Sequence, residues 1–221
     1  MIELYPFQQE AVADVERKVA EGVRRILIAV ATGAGKTIIA SEIIRRHRLR
    51  TILFLAHRDE LLTQARNKLR RFDVTAGIIK AGRDKDARPQ ALVQVAGVQT
   101  LYWRAVRTDR MEMPPAGIVF VDEAHHVPAR TYMSIIEQYA DSIIIGLTAT
   151  PCRSDGRGLG SVFETLVDTP PVAELIKLGL LVPPKIFSIP IARQRIQRTR
   201  RASLKPVAIR SANARPAASC A

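Results

Sequence analysis

Cysteine is nearly missing from this chain: there are two in 221 residues, Cys152 and Cys220. Two thiols so far apart give no disulfide framework and fit a reducing, cytoplasmic setting. No stretch approaches the roughly 20 apolar residues that a membrane span needs, so no membrane partner is expected. The opening Met1-Ile2-Glu3-Leu4 lacks the charged-then-apolar pattern of a secretory signal. No internal repeat is visible. Cys152 has no base placed to activate it and reads as a structural or incidental thiol. The pair His125-His126 has no cysteine or carboxylate cluster at ligand spacing, which argues against zinc.

Acids are scarce too. The chain holds 34 Lys and Arg against 21 Asp and Glu, a net charge of +13. Between Arg193 and Ala221 there is no acid at all, and eight of the thirteen net charges lie there. Such an excess favours polyanions through counterion release. The same segment lacks apolar periodicity and reads as disordered.

What is present is a core and a phosphate signal. Hydrophobic residues make up 47% of the chain, and the length suits one full domain and little more. Strands are predicted at 26–30, 51–55, 74–79, 92–95, 117–121 and 143–147. Helices are predicted near 6–21, 36–48, 59–71, 130–140 and 172–178. This alternation implies an α/β domain, its mostly parallel sheet covered by helices on both faces. Polar loops are expected at 80–90 and 104–116.

The run Ile26-Leu27-Ile28-Ala29-Val30 leads into Ala31-Thr32-Gly33-Ala34-Gly35-Lys36-Thr37. A helix follows, with Ile38, Ile39, Ile43 and Ile44 on one face. Strand, glycine-containing loop and helix is the context of a P-loop. Thr32, Gly33, Ala34 and Gly35 can bring backbone N–H groups around phosphate oxygens, where the helix N-terminus adds about half a positive charge. Lys36 is placed for the β- and γ-phosphates and Thr37 for Mg²⁺. Val30 stands where the first glycine of G-x-x-x-x-G-K-[ST] usually stands. A second buried run, Gly117 to Val121, delivers Asp122 and Glu123 at its end. Open α/β sheets bind ligands at that edge. Asp122 can hold Mg²⁺, and Glu123 can orient and deprotonate a water.

Val121-Asp122-Glu123-Ala124-His125 is a DEAH box, and the chain resembles the superfamily 2 helicases and translocases. The look is that of the Rad25/type III restriction-subunit group, from about residue 2 to about residue 187. The resemblance implies a RecA-like P-loop NTPase domain that uses ATP and Mg²⁺. Leu4-Tyr5-Pro6-Phe7-Gln8-Gln9-Glu10-Ala11 is similar to the family's opening motif, which assigns Gln8 to adenine. Tyr5 sits where Arg is common. Phe54 to Leu62 resembles motif Ia and makes Arg58 a contact to the nucleic-acid backbone. Gly97-Val98-Gln99-Thr100-Leu101 resembles motif Ib, which adds Gln99 and Thr100. Gly146-Leu147-Thr148-Ala149-Thr150-Pro151 resembles motif III. Thr148, Thr150 and His125 would then couple nucleotide state to nucleic acid.

The family's motors place ATP between two RecA-like domains, the second supplying arginine fingers in Q-x-x-G-R-x-x-R. Gln197-Arg198-Thr199-Arg200-Arg201 lacks the glycine, and no second sheet precedes it, so that match is rejected. The expected layout is an ATP-binding domain over 1–190 and a basic tail over 191–221, with no second RecA-like domain. Family likeness stops after Ile191. The tail is then either a nucleic-acid-binding arm or, the reading favoured, a stretch without a selected role. The expected function is the ATP-binding domain of a DEAH-type helicase, weak alone. Its partners would be nucleic acid, with DNA favoured over RNA, and a second polypeptide completing the motor. The alternative is a nucleotide- and nucleic-acid-binding module without helicase activity. A P-loop NTPase acting on some other partner is disfavoured by the motif Ia and motif III resemblances.

Overall fold

The computed structural model describes residues 3–82, 88–127, 129–151 and 158–183. Met1–Val182 falls in one compact unit. Cys152, the Gln197–Arg201 run and the 191–221 tail lie outside the described residues, as does part of the expected loop at 80–90.

The chain runs α1 (Pro6–Ala20), β1 (Arg25–Ala29), α2 (Lys36–Arg46), β2 (Ile52–Ala56), α3 (Asp59–Arg70), β3 (Ala76–Ile79) and β4 (Val93–Gly97). It continues α4 (Val98–Leu101), β5 (Ile118–Asp122), α5 (Arg130–Ile136), β6 (Ile143–Thr148), β7 (Thr165–Asp168) and α6 (Val172–Lys177). Seven strands among the described residues form one sheet in the order β3-β4-β2-β5-β6-β1-β7. All the pairings are parallel.

Each central strand sends alternate side chains to opposite faces, and both faces are dry. Ile26, Ile28, Ile52, Phe54, Ile118 and Phe120 join one core, roofed by α1, α2, α3 and Leu175 of α6. Leu27, Leu53, Leu55, Val119 and Val121 join the other, roofed by α4 and α5. Phe54 and Phe120 lie opposite each other in register and stack with ring centroids 6.2 Å apart. Strands buried on both faces carry no polar alternation, which is why they read as short apolar runs. The α/β expectation holds: the sheet is parallel, with helices on both sides.

Two elements differ from expectation. β7 is a four-residue edge strand, Thr-Leu-Val-Asp, in which only Val167 is buried. It offers no apolar run to read. Helix also begins at Val98 and runs into the loop expected at 104–116. Val98 and Leu101 are buried, and Tyr102, Ala105 and Val106 pack partly against the second core. Those positions follow the i, i+3, i+4, i+7, i+8 spacing of an amphipathic helix. After Leu101 the chain widens into a π-helical turn over Tyr102–Arg107. α5 is shorter than expected and tightens into a 3-10 turn at Glu137–Tyr139.

Candidate active site

The sheet order decides which loops meet. β6 lies between β1 and β5, so the loops after all three strands share one edge. Ala29 pairs with Thr148, and Asp122 with Leu147. Beyond β5, the ends of β2 and β4 continue the same edge, Leu55 opposite Val121 and Ala56 opposite Gly97. Reading across it, Thr32 to Thr37 come first, then Thr148 and Thr150, then Asp122 to His125, then Arg58, then Gln99 and Thr100.

The P-loop turns into α2 through Gly35, whose φ of 97° lies in the left-handed region that favours glycine. A Cβ there would also stand 2.6 Å from Nε2 of Gln8. Gln8 is 4% exposed and fully engaged. Its Nε2 donates to the Ala34 carbonyl at 2.9 Å, and its Oε1 accepts from the Tyr5 N–H at 3.1 Å. The sequence reading aimed this amide at adenine; in this structure it ties the start of α1 to the P-loop. The first-turn amides at Lys36 and Thr37 have no carbonyl four residues back within the helix, the feature that lets a helix start receive an anion.

Lys36 Nζ reaches across to Glu123 Oε1 at 3.0 Å, with the side chains 14% and 33% exposed. Glu123 has φ 51° and ψ 54°, an unusual backbone for a non-glycine residue, and this turns its side chain off the end of β5. Burial pushes the Asp122 carboxyl up, the Glu123 charge adds to the shift, and Lys36 opposes it. A bound cation would favour the charged form of such a group.

From Glu123 the polar contacts continue. His125 Nδ1 lies 3.4 Å from Glu123 Oε2 and 3.2 Å from Thr148 Oγ1. Thr148 donates its one hydroxyl proton to the Thr150 carbonyl at 2.9 Å and accepts from the Thr150 N–H at 3.1 Å. With that proton on the Thr150 carbonyl, the arrangement favours the His125 tautomer in which Nδ1–H donates to Oγ1. Lys36, Glu123, His125, Thr148 and Thr150 thus form one connected polar chain. Gly146 makes room for it. A Cβ at that position would lie 2.5 Å from Phe163 and 2.8 Å from Ala124, so only glycine lets β6 pass beneath the 3-10 turn at Ala124–His126.

The sequence reading missed a second group on this edge. The His57 and His126 rings stack at 5.4 Å, and Tyr132 lies 6.5 Å from each. His126 also contacts His125 at 4.2 Å, and burial lowers its pKa. The Tyr132 hydroxyl is buried, has no hydrogen-bond partner among the described residues, and is pushed up to about 12 by burial and the two neighbouring acids. Together these rings join the end of β2, beside Arg58, to the end of β5. Only the pairing of those strands brings them together. Arg58 is exposed at the N-cap of α3, and Gln99 is exposed on α4.

Comparison with known proteins fits this geometry. The family described as "Type III restriction enzyme, res subunit" matches residues 1–153. IRC3 of Saccharomyces cerevisiae, named as an ATP-dependent helicase, is 31% identical over 205 residues, covering 85% of this chain and 29% of its own length. The DNA 3'-5' translocase XPB2 of Sulfurisphaera tokodaii is 30% identical over 158 residues, 71% of this chain and 33% of XPB2. The chain thus spans about a third or less of these relatives. The UvsW helicase from bacteriophage T4 superposes with a TM-score of 0.60 at 22% identity, over 76% of this chain and 60% of that one. The type ISP restriction-modification enzyme LlaGI, solved with a DNA substrate mimic, gives 0.65 at 16%, over 81% of this chain and 21% of LlaGI. Among the described residues no helix is long and apolar enough to cross a membrane. The extent of these matches and the RecA-like sheet establish that the chain belongs to the type III restriction enzyme res-subunit family, and that it is a RecA-like domain of the superfamily 2 helicases.

Proposed function

We propose that this domain binds ATP with Mg²⁺ at its P-loop and couples hydrolysis to movement on nucleic acid, DNA in preference to RNA. The observation that carries the reading is the continuous contact from Lys36 through Glu123 and His125 to Thr148. Thr32 to Thr37 would cradle the phosphates. Thr37 and Asp122 would hold Mg²⁺, whose charge would neutralise the phosphate oxygens. The buried, upshifted Asp122 fits that cation.

Lys36 cannot serve Glu123 and a phosphate chain at once. When phosphates arrive, Lys36 leaves Glu123 for them, and the released carboxylate can take a proton from an attacking water. Glu123 also sets the neighbourhood of His125, so the exchange is felt at Thr148 and Thr150 and, through His126 and His57, beside Arg58. Gln8 would support the adenine end by holding the P-loop backbone at Ala34. Arg58, Gln99 and Thr100 would meet the sugar-phosphate backbone. The DNA preference is supported by the likeness to XPB2, a DNA 3'-5' translocase, and to LlaGI, solved with a DNA substrate mimic. We take residues 1–190 as the ATP-binding domain and 191–221 as a basic extension of it.

The other wall of the cleft would come from a second RecA-like domain, in a longer chain or a separate polypeptide. Arginine fingers from such a partner are worth about 10³–10⁵ in rate. Residues 1–221 alone should therefore turn over ATP slowly, with no strand separation. Steady-state hydrolysis and strand-displacement assays on the purified 221-residue chain test this. Slow, Mg²⁺-dependent turnover that rises when a second RecA-like domain is added is the expected result. Robust unwinding by the chain alone would contradict it, and binding without any stimulated turnover would leave a module rather than a motor.

A further inference from the structure

The single tryptophan of this chain is one of its most exposed large side chains. Trp103 is 58% exposed, at the start of the π-helical turn that follows α4. Its neighbours on the same turn, Tyr102, Arg104, Ala105 and Val106, are half-buried, and the indole is the large ring among them left to water. Leu101, Tyr102, Ala105 and Val106 anchor this segment to the core, so its outward side is held in place. Tyr102 meets the indole edge-on with centroids 6.4 Å apart. Gln99, Trp103 and Arg107 are all exposed and fall four residues apart, forming one stripe.

Two hollows meet at this residue. One, of about 300 Å³, is lined by Ala81, Gly82, Gln99, Thr100, Trp103 and Arg104. The other, of about 450 Å³, is lined by Trp103, Arg104, Thr108, Arg110 and Met111. Trp103 and Arg104 are the wall they share. Among the described residues neither lining contains an acid; Asp109 and Glu112, in the turn that follows, stand outside both. A flat aromatic face flanked by guanidinium groups is the chemistry that holds unstacked bases, with the cations on the phosphates. Wide helical turns of this kind also concentrate at functional sites.

We propose that Trp103 is a base-stacking contact for single-stranded nucleic acid, with Arg104 and Arg107 holding the flanking phosphates. It extends the contact begun at Gln99 and Thr100 by one helical turn. The inference rests on the nucleic-acid reading above, but it adds a base contact where that reading has only backbone contacts. The contact is sequence-tolerant, because every base has a π-face.

Since the chain has one tryptophan, its fluorescence reports on this site alone. The wild-type 221-residue protein is titrated at low salt with a dye-labelled oligothymidylate, and with an abasic strand of the same length. Anisotropy of the dye gives binding, and the intrinsic emission gives stacking. The expected result is strong quenching by oligothymidylate and little by the abasic strand. W103A should bind oligothymidylate about 5- to 100-fold more weakly yet bind the abasic strand as wild type does. W103F should keep most of the affinity. A merely structural role would weaken both ligands together and overturn the proposal. Binding without quenching, with W103A equal to wild type, would also overturn it while leaving the nucleic-acid reading intact. Absence of binding to either strand would remove both.

Discussion

Replacing Lys36 with alanine is expected to lower ATP turnover by about 10²–10³-fold, the usual loss when one preorganised charge-stabilising donor is removed. The ammonium sits at the first turn of α2, only 14% exposed, and its partner in the absence of phosphate is Glu123 at 3.0 Å. The substitution removes the cation placed to follow the phosphates and leaves Glu123 with only His125 Nδ1 beside it, at 3.4 Å. Because Glu123 is 33% exposed, water can solvate it, and folding should suffer by less than about 1 kcal/mol. Turnover and calorimetric ATP affinity should therefore both fall while the melting temperature barely moves. Unchanged turnover would remove Lys36 from the site.

Glu123→Gln should act differently and as strongly. It deletes the proton acceptor, worth about 10²–10⁴ in rate for a positioned general base. It also deletes the competitor for Lys36, so ATP affinity should hold or rise. The two variants thus separate binding from chemistry: K36A loses both, E123Q only the second. The amide keeps the shape of the carboxylate, so the left-handed backbone at residue 123 is retained. Turnover near the wild-type rate in E123Q would place the water-activating role elsewhere.

How much of this could be read from the chain depends on the kind of signal. Of the six strands between Arg25 and Thr148, the central ones were legible because a parallel strand buried on both faces is a nearly unbroken apolar run; β4 carries Gln94 and β3 lies at the sheet edge. The P-loop was legible because it carries its chemistry in adjacent residues. β7 was not, since an edge strand with one buried side chain has no pattern. The helix from Val98 was missed although Val98, Leu101, Tyr102, Ala105 and Val106 keep helical spacing; the polar stretch 104–116, closed by Pro114-Pro115, reads as a loop instead. At the site, the sequence placed Lys36 and Glu123 on the same edge but could not show that they touch. That contact depends on β6 entering between β1 and β5. The stacked His57 and His126 depend on β2 lying beside β5, which no local pattern encodes. Gln8 was singled out by motif, and the structure adds the partner: its amide holds Ala34 of the P-loop at 2.9 Å.

The chain of contacts from Lys36 to Thr148 makes one demand above all, that the nucleotide and nucleic-acid sites feel each other. The most direct measurement is the affinity of the 221-residue protein for a single-stranded oligonucleotide, with and without a non-hydrolysable ATP analogue and Mg²⁺. Linkage requires that any change be mirrored in the analogue's own affinity when the strand is present. The expected result is a shift of about fivefold or more in both, lost in Lys36→Ala. Equal strand affinity with and without the analogue, although the analogue binds, would contradict coupling through His125 and Thr148.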